Sequence, residues 1–431
     1  MARPHHRSQK RTPAQSREVQ LVVEKPIYGG NFLARVDGKA HFVPFAVPGE
    51  EVVAKIIEEK KSFARCEPVH IAASSAERIA LRCPHFTRCG GCDYQHVGYE
   101  TQIHWKLAIL EETFTRAGIA LPGAIEPLTA DPWHYRNRIR LAVDVNGKLG
   151  YRERNSHRVI AITECPIAEP RLIVAAREFE LALPRLATIG VEEIEFFAAP
   201  KDTNILARIQ ARAPQKGWLK DLAPLAPSIT GAELFTSDES RAIDQFGADA
   251  LSYEVDGISY RVANGAFFQV NQNLLSEFCA HVLSRTGGTS GDLAWDLYCG
   301  VGLFAKRLAM QFKKVVAVES APLALDSLEA NLAGCNAKII QSTTEAFLLR
   351  AAATDKPDLI LVDPPRAGLG EEVAERLYQI QAQKVIYVSC DPATMARDLK
   401  LFTNYNLTLL AMADLFPQTF HLESIAVLEL K

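Results

Sequence analysis

From residue 292 onward, short apolar runs recur at regular intervals: LAWDL, KVVAVE, AKIIQ, DLILVD and KVIYVS. Runs apolar on both sides suit strands buried on both faces, and the segments between them are long enough for helices. This predicts the βαβ rhythm of a parallel, doubly wound sheet. The last two runs, LTLLAMADLF and HLESIAVLEL, are joined by only a few residues, which predicts an antiparallel hairpin closing that sheet. Upstream the pattern changes. Residues 18–72 break into β-rich stretches such as HFVPFAVP and EEVVAKIIEE, punctuated by Gly29-Gly30, Asp37-Gly38 and Pro48-Gly49. Asp-Gly between alternating apolar stretches is a hairpin signal, and the length fits a small five-stranded barrel. Residues 98–118 place Ile103, Leu107, Leu110 and Phe114 at helical spacing, with Gly118 as a natural stop. Residues 131–268 read as β-rich again, with Asn146-Gly147 at a turn.

Charge narrows the classes of partner. Among 431 residues, 48 Lys and Arg face 51 acids, so no global positive field draws the chain onto nucleic acid. Local patches do the opposite. Residues 1–17 carry Arg3, Arg7, Lys10, Arg11 and Arg17 and no acid, and read as a disordered basic tail. Residues 131–165 hold seven basic and four acidic residues, and period 2 puts Arg136, Arg138 and Arg140 on one face. That face is either an ordinary charged sheet surface or a strip that tracks phosphates. No apolar run approaches the ~20 residues that span a bilayer, and the first residues lack the apolar core of a signal peptide. The expectation is a cytoplasmic chain with no membrane partner, whose nine cysteines are thiols, ligands or catalysts rather than disulfides.

Four constellations carry chemistry at the ends of the predicted strands. Asp296-Leu-Tyr-Cys-Gly300-Val-Gly302 follows a strand and opens a helix, and Glu319 ends the next strand, where an acid can hold ribose hydroxyls. The loop is not a phosphate loop. An acid at Asp296 would repel a pyrophosphate but suits a cationic amino-acid cofactor, which points to S-adenosylmethionine. Asp363-Pro364-Pro365-Arg366 ends the fourth strand; Arg366 stands where amino-group methyltransferases place a stacking aromatic, which disfavours that chemistry. Ser389-Cys390-Asp391-Pro392 ends the fifth, and a helix starting near Pro392 is expected to lower the Cys390 pKa through its dipole. His421-Leu-Glu423 opens the last strand, where burial would raise the Glu423 pKa towards that of a base working near neutrality. Together these parts suit covalent catalysis at uracil C5: Cys390 adds to C6, and Glu423 removes the C5 proton. Arg366 is placed to hold the base or a phosphate, and the base must be flipped out to reach the thiol.

A fifth constellation is Cys83-x5-Cys89-x2-Cys92 with Cys165 as a distant fourth. Its spacing is uneven, closer to ferredoxin-like patterns than to the paired CxxC of zinc ribbons, and leaves zinc as the alternative to a [4Fe–4S] cluster.

Gly29-Gly30, Asp37-Gly38, Phe42-Val43-Pro44, Pro48-Gly49-Glu50 and Lys60-Lys61 resemble the TRAM domain, an OB-like RNA-binding module. The segments CPHFTRCGGC, GAFFQVN, DLYCGVG, VDPPRAGL, VSCDPATMARDL and FPQTFHLESIA resemble the RNA uracil-5 methyltransferase family, and most closely its 23S ribosomal RNA branch. The resemblance covers about residues 18–431. It implies Cys390 as nucleophile and Glu423 as base. It implies Gln269, Tyr298, Glu319 and Asp363 as cofactor contacts, beside Gly300 and Gly302 of the glycine loop, and Cys83, Cys89, Cys92 and Cys165 as ligands of a [4Fe–4S] cluster. Candidate RNA contacts are Arg136, Arg138, Arg366 and His421. The transfer-RNA branch best known in bacteria lacks this cysteine set, so ribosomal RNA is favoured and transfer RNA is the alternative. Leu303 departs from the Asn that many relatives carry after the second glycine. The implied fold is α/β: a C-terminal Rossmann-like S-adenosylmethionine methyltransferase domain, an N-terminal OB-like barrel, and a β-rich central iron–sulfur domain. The expected division is 1–17 tail, 18–72 TRAM, 73–92 and 125–262 central, 93–124 and 263–431 methyltransferase, acting as a monomer. A non-catalytic RNA-binding iron–sulfur protein would leave Cys390 and Glu423 idle, and a small-molecule methyltransferase would not need residues 18–72. A cytosine-5 enzyme would place its thiol in a different setting.

Overall fold

The structure, a computed structural model, describes residues 17–236, 242–286, 291–351 and 356–431. Apart from Arg17, the expected basic tail lies outside the described residues.

Strands β1 (Glu18–Ile27), β2 (Asn31–Val36), β3 (Lys39–Pro44), β4 (Glu51–Glu59) and β5 (Phe63–Ala73) form a closed barrel in the order β1-β2-β3-β5-β4. Alternation does the work: Leu21, Val23, Phe32, Ala34, Val43, Val52 and Ala54 point inward and are almost wholly buried. Helix α1 (Tyr99–Arg116) belongs to two cores at once. Near its start Trp105 packs into the barrel with Tyr94 and Val97, while Ile109, Leu110 and Phe114 pack into the C-terminal sheet.

After the short β6 (Glu126–Leu128), the central region forms one mixed sheet. Its strands are β7 (Arg138–Val143), β8 (Leu149–Arg152), β9 (Val159–Ala161), β10 (Val191–Ala198), β11 (Ile205–Ala211), β12 (Gly231–Phe235) and β13 (Asp244–Gly247). Helices α2 (Pro170–Ala182) and α3 (Trp218–Leu222) cover it, Leu172, Phe179, Trp218 and Leu222 sealing its core. The hairpin β14 (Ala250–Val255) and β15 (Ile258–Ala263) departs from the expected division at residue 262. Leu251, Tyr253, Val255, Tyr260 and Val262 alternate onto one face and join the core of the C-terminal unit. Pattern alone marks a strand but not which unit its apolar face meets.

The C-terminal unit begins with α4 (Leu275–Ser284) and continues as β16 (Leu293–Leu297), α5 (Leu303–Leu308), β17 (Lys314–Glu319), α6 (Pro322–Leu332), β18 (Ala337–Gln341), α7 (Thr344–Arg350), β19 (Leu359–Val362), α8 (Gly370–Ile380), β20 (Lys384–Ser389), α9 (Pro392–Leu399), β21 (Tyr405–Ala413) and β22 (Glu423–Leu430). The sheet order is β18-β17-β16-β19-β20-β22-β21-β6. Strands β16 to β20 are mutually parallel, and β22 runs antiparallel to both β20 and β21. This is the S-adenosylmethionine methyltransferase fold, and its strand order reverses between β16 and β19, where such sheets open a ligand crevice. Among the described residues, no helix is long and apolar enough to cross a membrane.

Candidate active site

The carboxyl edge of the sheet gathers most of the predicted residues. Strands β20 and β22 pair Ser389 with Ser424. The next step outward in that register sets Cys390 against Glu423, one leaving its strand and the other entering. Asp363 follows β19, the neighbour of β20 on its other side. Three acid or thiol groups thus meet at one buried edge. Burial, then the charges of Glu423 and Asp363, push the Cys390 thiol up to about 12; Arg366 opposes them. Burial and the Asp363 charge hold the Glu423 carboxyl well above its usual range, and burial lifts Asp363 to about 7. The dipole expected to acidify Cys390 is outweighed. Asp391 caps α9, its carboxylate accepting from the N–H groups of Ala393 and Thr394 at 3.0 and 2.9 Å, so the positive helix end is already neutralised.

Arg366 acts on the thiol electrostatically, and His421 lies beside Arg366 on the cleft. An Arg366 guanidinium nitrogen lies 3.5 Å from His421 Nε2. Burial, then Arg366, Lys106 and Arg136, push the imidazole down to about 4, so it is neutral at physiological pH.

On the cofactor side, Tyr298 (φ +63°) turns the chain out of β16, with Gly300 (φ +55°) and Gly302 (φ +87°) behind it. A Cβ on Gly302 would sit 2.9 Å from a Leu328 methyl, so the loop closes only with glycine there. The Glu319 carboxylate ends β17 and accepts from the N–H groups of Gly300, Ser320 and Ala321 at 2.6–2.8 Å. Asp296 is buried with its Oδ2 unpartnered, and burial plus the charges of Asp363 and Glu319 hold it far above the usual carboxylate range. Buried acids with an orphaned oxygen fit a cationic nucleoside cofactor and would repel an anionic one. Gln269 is buried on the loop after β15, its carbonyl accepting from Asn137 Nδ2 at 3.0 Å.

The segment 414–421, which leads into Glu423, is irregular yet tightly held. Lys106 Nζ donates to Asp414 Oδ1 at 2.6 Å and to the Phe416 carbonyl at 3.1 Å. Gln102 exchanges hydrogen bonds with Gln418, Tyr135 donates to the Pro417 carbonyl, and the Asp93 carboxylate accepts the Phe420 N–H. The barrel reaches the same place. At the β1–β2 turn, Tyr28 Oη donates towards the Cys390 carbonyl (3.3 Å) and Asp391 Oδ2 (3.4 Å). Its ring stands edge-on to Phe420, which packs on His421 with centroids 4.1 Å apart. Sequence reasoning missed Tyr28, Lys106, Asp414 and Phe420. Only Gly29-Gly30, a turn signal, hinted that anything here approaches closely: a Cβ on Gly30 would lie 2.8 Å from Asp93 Oδ1.

The basic strip divides. Arg136 and Arg140 line a cleft of about 1610 Å³ that also includes Arg366 and His421. Arg138 corrects the expectation: it is largely buried, lies 4.0 Å from the Phe197 ring centroid and pairs with Glu195 across the strand, so it is spent on packing. Cys83, Cys89, Cys92 and Cys165 line the same cleft. All are free, and burial raises each thiol above its ordinary value, so something cationic is required to hold them as thiolates. Among the described residues, no group of three or more Cys, His, Asp or Glu side chains is gathered closely enough to hold a metal ion.

Residues 99–431 match the family profile described as tRNA (Uracil-5-)-methyltransferase, and residues 14–69 match the TRAM domain. An uncharacterized RNA methyltransferase of Streptomyces avermitilis is 34% identical over 436 residues, covering 96% of this chain and 98% of its own. A 23S rRNA (uracil(1939)-C(5))-methyltransferase of Aeromonas salmonicida is 34% identical over 431 residues, covering 96% and 97%. Among solved structures, a Pyrococcus abyssi tRNA (uracil-54, C5)-methyltransferase in complex with S-adenosyl-L-homocysteine shares the fold, with a TM-score of 0.76, 22% identity, and coverage of 95% and 99%.

Proposed function

Since the chain belongs to the tRNA (uracil-5-)-methyltransferase family, we propose that it methylates C5 of a uridine in 23S ribosomal RNA, with Cys390 as nucleophile and Glu423 as base. One observation carries the mechanism: the Ser389–Ser424 register sets the thiol against the carboxylate at the cofactor edge of the sheet. The Cys390 thiol gives up its proton to solvent, the thiolate Sγ bonds to uracil C6, and the C5–C6 π pair moves to C5, which gains the nucleophilicity that a free uracil lacks. S-adenosylmethionine, when bound, supplies an electrophilic methyl group and a positive charge among Asp296, Glu319 and Asp363. Glu423 takes the C5 proton, the pair returns to form the C5–C6 double bond, and the C–S bond breaks to release Cys390. Arg366 and the neutral His421 face the carbonyl-rich edge of the base, and Arg136 tracks phosphate along the cleft.

Ribosomal RNA is supported by the relative from Aeromonas salmonicida, matched over nearly its whole length. Cys83, Cys89, Cys92 and Cys165, which line one cleft, would be the ligands of a [4Fe–4S] cluster in this reading; such a cluster would tie the 83–92 loop to the segment at Cys165 and take no part in the reaction. The test is mass spectrometry of nucleosides from ribosomal and transfer RNA lacking 5-methyluridine, each incubated with S-adenosylmethionine and wild-type enzyme or Cys390→Ala. The expected result is 5-methyluridine in ribosomal RNA with wild type alone. Its appearance in transfer RNA instead overturns the substrate, and its persistence in Cys390→Ala overturns the mechanism.

A further inference from the structure

The barrel reaches the turn that carries Cys390 through one polar side chain, Tyr28. Tyr28 leaves β1 at its last turn and reaches the backbone that carries the thiol: its hydroxyl is shared between the Cys390 carbonyl at 3.3 Å and Asp391 Oδ2 at 3.4 Å. Such bonds are commonly long in an unliganded site and tighten in the reacting complex. Among the described residues, no other barrel side chain hydrogen-bonds Cys390 or Asp391, and the contact spans 362 residues of sequence. We propose that Tyr28 is a positioning residue for the nucleophile, so that the docked barrel completes the active site as well as gripping RNA. The inference rests on the reading of Cys390 as nucleophile.

Three observations support it. The donor is permanent: burial and the charges of Asp391 and Cys390 raise the phenol above its ordinary value, so it stays protonated. The acceptors are the ones that fix the thiol. Asp391 also caps α9, and Ser389 Oγ accepts the Asp391 N–H at 3.2 Å, so a donor on Asp391 orients the whole turn from β20 into α9. The docking is built rather than incidental. Gly30 lies flat against Asp93 and Phe420 because no Cβ fits there, Tyr28 packs edge-on against Phe420 at 5.6 Å, and Lys25 pairs with Glu112 of α1 at 2.6 Å. The hydroxyl therefore has little freedom to leave the loop. A thiol displaced by a fraction of an ångström from the line of attack on C6 reacts more slowly, while RNA binding elsewhere is untouched.

The experiment compares wild type, Tyr28→Phe and Cys390→Ala on RNA carrying 5-fluorouridine at the target. Fluorine cannot leave as a cation to a base, so the Cys390–C6 adduct persists and can be counted on a denaturing gel. Tyr28→Phe keeps the ring on Phe420 and loses only the donor. The expected result is full adduct amplitude at a rate lowered roughly tenfold, with KM for normal RNA unchanged. A reduced amplitude at normal rate would mean that the hydroxyl only stabilises the fold, and a raised KM at normal kcat would mean that it only serves RNA binding; either overturns the proposal, as does a rate equal to wild type. Failure of the underlying reading is separate: wild type then gives no adduct, or Cys390→Ala gives as much.

Discussion

Replacing Lys106 by Met removes one half of an ion pair that has no access to water. Both side chains are fully buried and 2.6 Å apart. At that distance the attraction is about 6 kcal/mol for an effective dielectric near 20. Removing both charges from water costs several kcal/mol per ion, so the intact pair is close to neutral for stability. The single substitution is different, because the Asp414 charge stays buried, uncompensated, and the Phe416 carbonyl loses its donor. Lys106→Met should therefore cost about 3–5 kcal/mol. Adding Asp414→Asn removes the stranded charge and should recover about half of that or more. Urea denaturation followed by fluorescence gives both numbers, provided the slope is unchanged between variants. A loss below about 1 kcal/mol for Lys106→Met, or a double variant worse than the sum of the singles, refutes the reasoning.

Glu423→Gln should abolish turnover by at least about a hundredfold while a methylated Cys390–RNA adduct accumulates, since the C5 proton has no acceptor; a gel showing no adduct refutes the assignment. Burial holds the folded Asp363 carboxyl above its ordinary 3.8, so above that value the folded state keeps a proton the unfolded state loses, and stability falls as pH rises. Relative to wild type, Asp363→Asn should therefore gain stability from pH 4 to pH 7, and urea midpoints at three pH values check the sign. Gly30→Ala should destabilise by about 1–3 kcal/mol, and by more than Gly29→Ala, because both positions have positive φ but only Gly30 has Asp93 against it; equal midpoints would deny the docking. Cys89→Ser should lose bound iron and sulfide, measured on anaerobically purified protein, and lower the unfolding midpoint; full iron content in the variant would remove Cys89 from the ligand set.

The parallel sheet was legible because its strands are buried on both faces and write themselves as unbroken apolar runs. The edge residues followed, since a strand's end in the sequence is an edge in the sheet. Glu423 stood out as an acid inside LESIAVLEL, and burial does raise its pKa. The acidity of Cys390 was misjudged for a physical reason: a helix start is visible in Asp391-Pro392, but the carboxylates that outweigh it come from strands 27 residues before and 33 after. The same limit hid Tyr28, Lys106 and Asp414. Their partners lie hundreds of residues away, and local periodicity carries no record of such pairs. Arg138 failed in the opposite direction, for alternation shows which face a side chain takes but not that Glu195 and Phe197 wait there to occupy it.

The segment 414–421 is held by side chains made some three hundred residues earlier, with Gln102–Gln418 and Lys106–Asp414 separated by 316 and 308 positions. A ribosome adding residues in order therefore finishes the barrel, the central sheet and most of the methyltransferase core while the Lys106 ammonium has no counter-charge. The turn ahead of Glu423 can be tied down only once residue 418 has emerged. A chain stalled or cut before residue 414 would carry the barrel and Cys390 but neither the Asp414 counter-charge nor Glu423.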